Sequence, residues 1–264
     1  MMTAMAQQWI EPVAAMPAFA SVRSHGCGLE PVVFLPGLLC DQALWRQQVD
    51  ALSDIAAPMI ADLTLDDTVE AMARRTLAVA PPRFSLASLS MGGYVAFEIM
   101  RQAPERVTRL ALIDTSARGD TPLRTAQRRA GIESLRRGTF LGVTRRLLDD
   151  LVDPSHMEDQ VAAEMKAMAL RVGKQAFLRQ QHAIMQRPDS TALLPLIAVD
   201  TMIVVGAGDR LTPVEHAREM QTAIPHATLH VIPRCGHMPA LEEPAQVSAL
   251  LRGWLRNGAG DRQH

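Results

Sequence analysis

Short apolar runs alternate along this chain with longer stretches of helical period. Residues 32–35, 58–61, 84–88, 107–113, 201–205 and 228–232 form the runs, none with strict apolar–polar alternation. That is the pattern of strands covered on both faces. Between them, residues 44–52, 69–79, 92–102 and 214–223 carry apolar positions at helical spacing. A last helix over 246–255 puts Val247, Leu250, Leu251 and Trp254 on one face. Strands alternating with helices predict a mainly parallel sheet with helices on both faces. Its active site is expected beyond the carboxyl ends of the strands.

The alternation stops over 118–195. That segment shows no convincing strand and reads as several amphipathic helices, for example 161–172 and 175–186, with turn signals at Asp153-Pro154 and Arg187-Pro188. Residues 118–190 hold 13 basic and 9 acidic residues, a net of +4 against −5 elsewhere. The expectation is a helical insertion, 118–195, in a core built from 1–117 and 196–264. Arginine pairs at 128/129, 136/137 and 145/146 offer an anionic substrate tail a partner, although a solvated helix face is the simpler reading.

The chain of 264 residues is long enough for one large domain, or for one domain with an insertion. A net charge of −1 gives no electrostatic reason to expect nucleic-acid binding. No apolar run reaches the roughly 18–20 residues of a membrane span, so no membrane partner is expected. Ala18-Phe19-Ala20 has the look of a cleavage site. However, no Lys or Arg precedes Arg23, and Glu11, Pro12 and Pro17 break up the apolar stretch. Cys27, Cys40 and Cys235 are odd in number and lack metal-ligand spacing, so neither a disulfide framework nor a metal site is suggested. A cytoplasmic location is the expectation.

The sharpest local signal is Ser88-Leu89-Ser90-Met91-Gly92-Gly93, between a strand and a helix. A serine at such a turn is lifted clear of the sheet, with small residues around it because strand and helix backbones approach closely. The usual pattern is G-x-S-x-G, and here Ser88 stands in place of the first glycine. A serine hydroxyl needs a base within hydrogen-bond reach. His237, in Cys235-Gly236-His237-Met238-Pro239 after the last strand, has the matching position. Its imidazole needs an acid to fix the tautomer. Asp209, in Gly206-Ala207-Gly208-Asp209, follows another strand, and Asp114, at the end of 107–113, is the competing acid. The glycine-framed Asp209 is preferred, with Asp114 left to orient the segment behind it. Backbone N–H groups of Met91 and of Leu38, in Leu35-Pro36-Gly37-Leu38, are the candidate oxyanion donors.

With these pieces in this order, the chain resembles the α/β-hydrolase family from about Pro31 to Leu255. Gly208-Asp209-Arg210-Leu211-Thr212-Pro213 and Leu241-Glu242-Glu243-Pro244 add to the likeness. The resemblance implies an α/β fold with a mostly parallel eight-stranded sheet, its first two strands before Pro31, and a helical cap supplied by 118–195. It implies a serine hydrolase without metal or cofactor, cleaving the carboxylic ester of a small or medium apolar acyl group. Lactones, thioesters and carbon–carbon bonds are alternative targets of the same residues, and a non-catalytic binding protein is the alternative of another class. The expected partner is a small ester or lactone. Leu39, Met165, Met168, His182, Met185 and Met238 are the expected substrate contacts. Oligomeric state is left open.

Overall fold

The computed structural model describes residues 28–157 and 159–257. Among them are six strands: β1 (Glu30–Leu35), β2 (Ala56–Ile60), β3 (Phe84–Leu89), β4 (Val107–Ile113), β5 (Asp200–Gly206) and β6 (Thr228–Ile232). All pair in parallel, in the order β2-β1-β3-β4-β5-β6. The two strands expected before Pro31 fall outside the described residues.

The strand runs look continuously apolar because each faces two cores. Val32, Phe34, Ala87, Leu89, Ala111, Ile113, Met202 and Val204 join one cluster, completed by Trp45, Leu52, Val247, Leu251 and Trp254. The alternate residues Val33, Leu35, Leu86, Leu110, Leu112, Ile203 and Val205 join the other, under Met72, Val95, Ile99 and Met220. Helices α1 (Arg46–Leu52) and α9 (Pro244–Asn257) therefore cover the first face. The second lies under α2 (Val69–Val79), α3 (Met91–Gln102) and α7 (Val214–Ala223). Pro58 lies in β2, an edge strand, where its missing N–H is tolerated.

The chain runs from β1 outward to β2 and then back to β3 on the other side of β1. The carboxyl ends of β1 and β3 thus flank the point where the winding reverses, the usual place for a crevice in an open parallel sheet. Between β4 and β5 lie α4 (Pro122–Arg137), α5 (Arg145–Leu151) and α6 (Gln160–Gln186). Sequence periodicity places two helices over 161–172 and 175–186. They form one element broken at Gly173, whose φ of 78° and ψ of 172° suit a residue without a side chain. A four-residue helix, α8 (Pro239–Glu242), precedes α9.

Candidate active site

Ser90 ends β3 at φ 53° and ψ −115°, a sparsely populated conformation for a residue with a side chain. Its backbone is pinned from the end of β4: Ser90 N–H donates to Ile113 O at 3.0 Å, and Thr115 Oγ donates to Ser90 O at 2.8 Å. Gly92 and Gly93 are glycines for a steric reason. A Cβ at the first would run into the Leu35 carbonyl, and at the second into the Thr115 side chain. Ser88, standing where a glycine is usual, is fully buried and donates to Ala111 O at 3.0 Å. Ser90 is the serine left partly open to the cavity.

Two loops meet opposite it. A Cβ on Gly206 would strike Gly236 O, and Gly208 N–H donates to Cys235 O at 2.8 Å, so the loops after β5 and β6 pack backbone to backbone. This brings His237 between the other two groups. Its Nε2 lies 2.8 Å from Ser90 Oγ and its Nδ1 2.8 Å from Asp209 Oδ2. With Nδ1–H donating to the carboxylate, Nε2 is left to accept from the hydroxyl. Asp209 Oδ1 also accepts from the N–H groups of Leu211 at 2.7 Å and Thr212 at 3.0 Å, and Oδ2 from Thr212 Oγ1 at 2.6 Å. Burial pushes the Asp209 pKa up, but His237, Asp114 and Thr212 together hold it below the ordinary carboxylate range.

Asp114 occupies the corresponding end of β4, with Oδ1 accepting from Gly206 N–H at 3.0 Å. Its Oδ2 finds no donor. Burial first, then the charge of Asp209, pushes its pKa well above the usual carboxylate range. The direction of the shift favours the protonated form of Asp114 beside an ionised Asp209. Asp114, Asp209 and His237 set two oxygens and a ring nitrogen within 4.8 Å. Among the described residues this trio alone has the donor types and grouping of a metal site, and its donors are already turned toward one another.

The loop after β1 lies against Ser90: a Cβ on Gly37 would sit 3.5 Å from Ser90 Cβ. Leu39, at φ 60°, donates its N–H to Gln180 Oε1 at 3.1 Å, and Gln180 Nε2 donates to Leu63 O at 3.1 Å. The fully buried Gln180 therefore ties α6 to this loop. Among the described residues, neither Leu38 N–H nor Met91 N–H is given an acceptor. Cys40, beside them, is held as a thiol, its pKa raised to about 12 chiefly by burial and then by Asp41.

A cavity of about 460 Å³ opens on Ser90 and His237. Of the expected contacts, Leu39, Met165, Met168 and Met238 line it. His182 and Met185 do not: His182 is exposed, 3.9 Å from Asp67. The cause is the break at Gly173. On an unbroken helix His182 would follow Met168 by about four turns and share its face. After the break it is Phe177, Gln181 and Ile184 that line the cavity, residues that would otherwise lie about half a turn away from Met168. Tyr94, Arg124 and Gln127 also line it, and none carries an apolar pattern that would have marked it in the sequence. Of the six paired arginines, Arg128 is the one that reaches the cavity.

Glu242 belongs to the Leu241-Glu242-Glu243-Pro244 string, to which the sequence assigned no role. Buried in α8, its carboxylate accepts from the N–H groups of Gly236, Met238 and Asp153 at 2.8–2.9 Å. It thereby clamps the backbone on both sides of His237.

The model of the alpha/beta hydrolase family matches residues 20–250. The pimeloyl-[acyl-carrier protein] methyl ester esterase of Nitrosomonas europaea is 29% identical over 86% of this chain and 96% of its own. A thermophilic esterase from Thermogutta terrifontis, solved with malate bound, superposes with a TM-score of 0.78 at 31% identity, over 87% of this chain and 90% of that one. The enol-lactonase of Burkholderia xenovorans shares the fold, with a TM-score of 0.76 at 21% identity over 88% and 93% of the two chains. No helix among the described residues is long and apolar enough to cross a membrane.

Proposed function

The chain belongs to the alpha/beta hydrolase family, and from that premise we propose that it is a carboxylesterase using Ser90, His237 and Asp209. The observation that carries this reading is the continuous line of contacts from Ser90 Oγ through His237 to Asp209 Oδ2, each 2.8 Å long. Esterase relatives named in both comparisons support the bond type.

In the first half-reaction Ser90 Oγ attacks the ester carbonyl as His237 Nε2 takes its proton. The carbonyl oxygen becomes an oxyanion between Leu38 N–H and Met91 N–H, the second at the amino end of α3 where the helix dipole favours negative charge. Asp209 stabilises the imidazolium. Collapse of the intermediate breaks the bond to the alkoxy oxygen, and His237 returns its proton to the departing alcohol. Water then attacks the acyl-enzyme with His237 again as base, releasing the acid and restoring Ser90. Every proton has a carrier, and no group beyond these side chains is needed for the step.

Residues 118–195 act in this reading as a cap. Met165, Met168 and Phe177 line the same cavity as Ser90 and favour a small or medium apolar acyl group. A serine-directed fluorophosphonate tests the assignment. Mass spectrometry should place the adduct on Ser90, and Ser90→Ala should abolish p-nitrophenyl ester hydrolysis. An adduct on Ser88, or turnover surviving in the variant, would sink it.

A further inference from the structure

The cavity has both polar and apolar lining residues, and α4 contributes to each. Arg124, Gln127 and Arg128 face it from the amino-terminal half of the helix, Gly131 and Ile132 from the other half. Its arginines carry more positive charge than their neighbours neutralise. Arg128 donates from Nε to Asp120 Oδ2 at 2.7 Å and from Nη1 to Gln181 Oε1 at 2.9 Å. Asp120, buried, also pairs with Arg187 at 2.8 Å, so a single carboxylate serves two guanidinium groups. Arg124 donates to the Leu211 carbonyl at 2.9 Å and meets no carboxylate among the described residues. Arg124, Arg128 and Arg187 thus have a single carboxylate among them, and the first two line the cavity that also holds Ser90.

Guanidinium groups with spare donors in a partly desolvated site fit a carboxylate in geometry and charge. The rest of the cavity, lined by Val143, Leu147, Met165 and Met168, suits the methylenes between that carboxylate and a second group. We propose that the preferred substrate is an ester that also carries a carboxylate, which binds at Arg124 and Arg128 while the ester carbonyl lies at Ser90. This rests on the esterase reading and narrows it. Arg124 selects the substrate and takes no part in the bond-breaking step.

The test compares kcat/KM for three esters: monomethyl adipate, charged on the acyl side; the acetyl ester of 6-hydroxyhexanoate, charged on the alcohol side; and neutral dimethyl adipate. The unaltered enzyme should prefer one charged ester, and which one identifies the side that faces Arg124. In Arg124→Gln the charged-to-neutral ratio should fall by about 10–100-fold, the range for losing a hydrogen bond to a charged group. Arg124→Lys should keep part of the preference, since the charge remains. Arg136→Gln, an exposed position on the same helix, should leave the ratio alone. A ratio unchanged in Arg124→Gln would overturn the proposal, while hydrolysis of dimethyl adipate would still uphold the esterase. If none of the esters is cleaved, calorimetry of monomethyl adipate on Ser90→Ala decides the binding question separately. There Arg124→Gln should weaken affinity by about tenfold or more, and equal affinities would end the carboxylate proposal.

Discussion

Asp114 and Asp209 lie just past the ends of neighbouring strands with their carboxyl groups within 4.8 Å, and their surroundings push the two pKa values in opposite directions. Proximity of like charges and lack of solvent make a shared double charge costly, so the pair settles as acid and carboxylate. The division of labour follows: the ionised member faces His237, and the protonated member donates to it.

An amide can copy a protonated acid but not a carboxylate. Asp114→Asn, whose Nδ2 can donate to Asp209, should keep kcat within a few-fold. Asp209→Asn should lower it by about 10⁴-fold, the cost of the wrong tautomer in a serine triad. Steady-state kinetics on one ester settles the matter, and a dead Asp114→Asn with a live Asp209→Asn would reverse the assignment.

The same pair shapes stability against pH. Unfolded, Asp114 ionises near its ordinary value of 3.8; folded, it keeps its proton to a much higher pH. Across that window the folded state holds the extra proton, so stability falls as pH rises, by up to about 1.4 kcal/mol per pH unit. Asp209 gives the opposite slope, its contribution present above 3.8 and lost only as pH falls below it. Thermal melts from about pH 5 to 8 should therefore show Asp114→Asn gaining on the parent as pH rises. A gap that stays constant would mean that Asp114 is ionised in the fold.

Glu242 should be measurable through His237. In Glu242→Gln the amide nitrogen must face one of the three N–H donors that now meet a carboxylate oxygen. A buried donor left unpaired costs about 1–3 kcal/mol, so Tm should drop. Because the displaced backbone carries the base, kcat should fall more than KM rises. Unchanged kcat in a destabilised variant would confine Glu242 to a structural part.

Shortening Met165 or Met168 to Ala should shift the preference between short and long acyl esters by roughly tenfold or more. Met185→Ala and His182→Ala should not, since neither residue lines the cavity. Equal shifts at all four positions would mean that the wall opposite Ser90 is formed elsewhere.

Much of the framework was legible because its causes are local. Both-face burial produces the short apolar runs, and close strand–helix approach demands Gly92 and Gly93. The order of strand ends then brings Ser90, Asp209 and His237 to one rim. What escaped notice depends on contacts between distant segments. Glu242 is an ordinary acidic residue until its three backbone partners are seen, and the raised pKa of Asp114 comes from its burial and then from a neighbour 95 residues away along the chain. Arg124 and Gln127 sit on a helix with no buried residue, so no apolar stripe marks the face that turns to the cavity. His182 was misplaced because the sequence does not give the relative phase of the helical segments 161–172 and 175–186 across Gly173.

That glycine has a wider consequence. The torsion angles of Gly173 set which side chains of 175–186 face the cavity. With the break, an aromatic ring, an amide and an isoleucine line the cavity, and Gln180 reaches the Leu39 N–H. Were residue 173 forced into ordinary helix, the identical side chains would be dealt out differently. The imidazole of His182 would come round to the inside, and the tie to the loop bearing Leu38 would be lost. Selectivity in this enzyme could thus change abruptly through one backbone rotation, with every residue that contacts substrate left as it is.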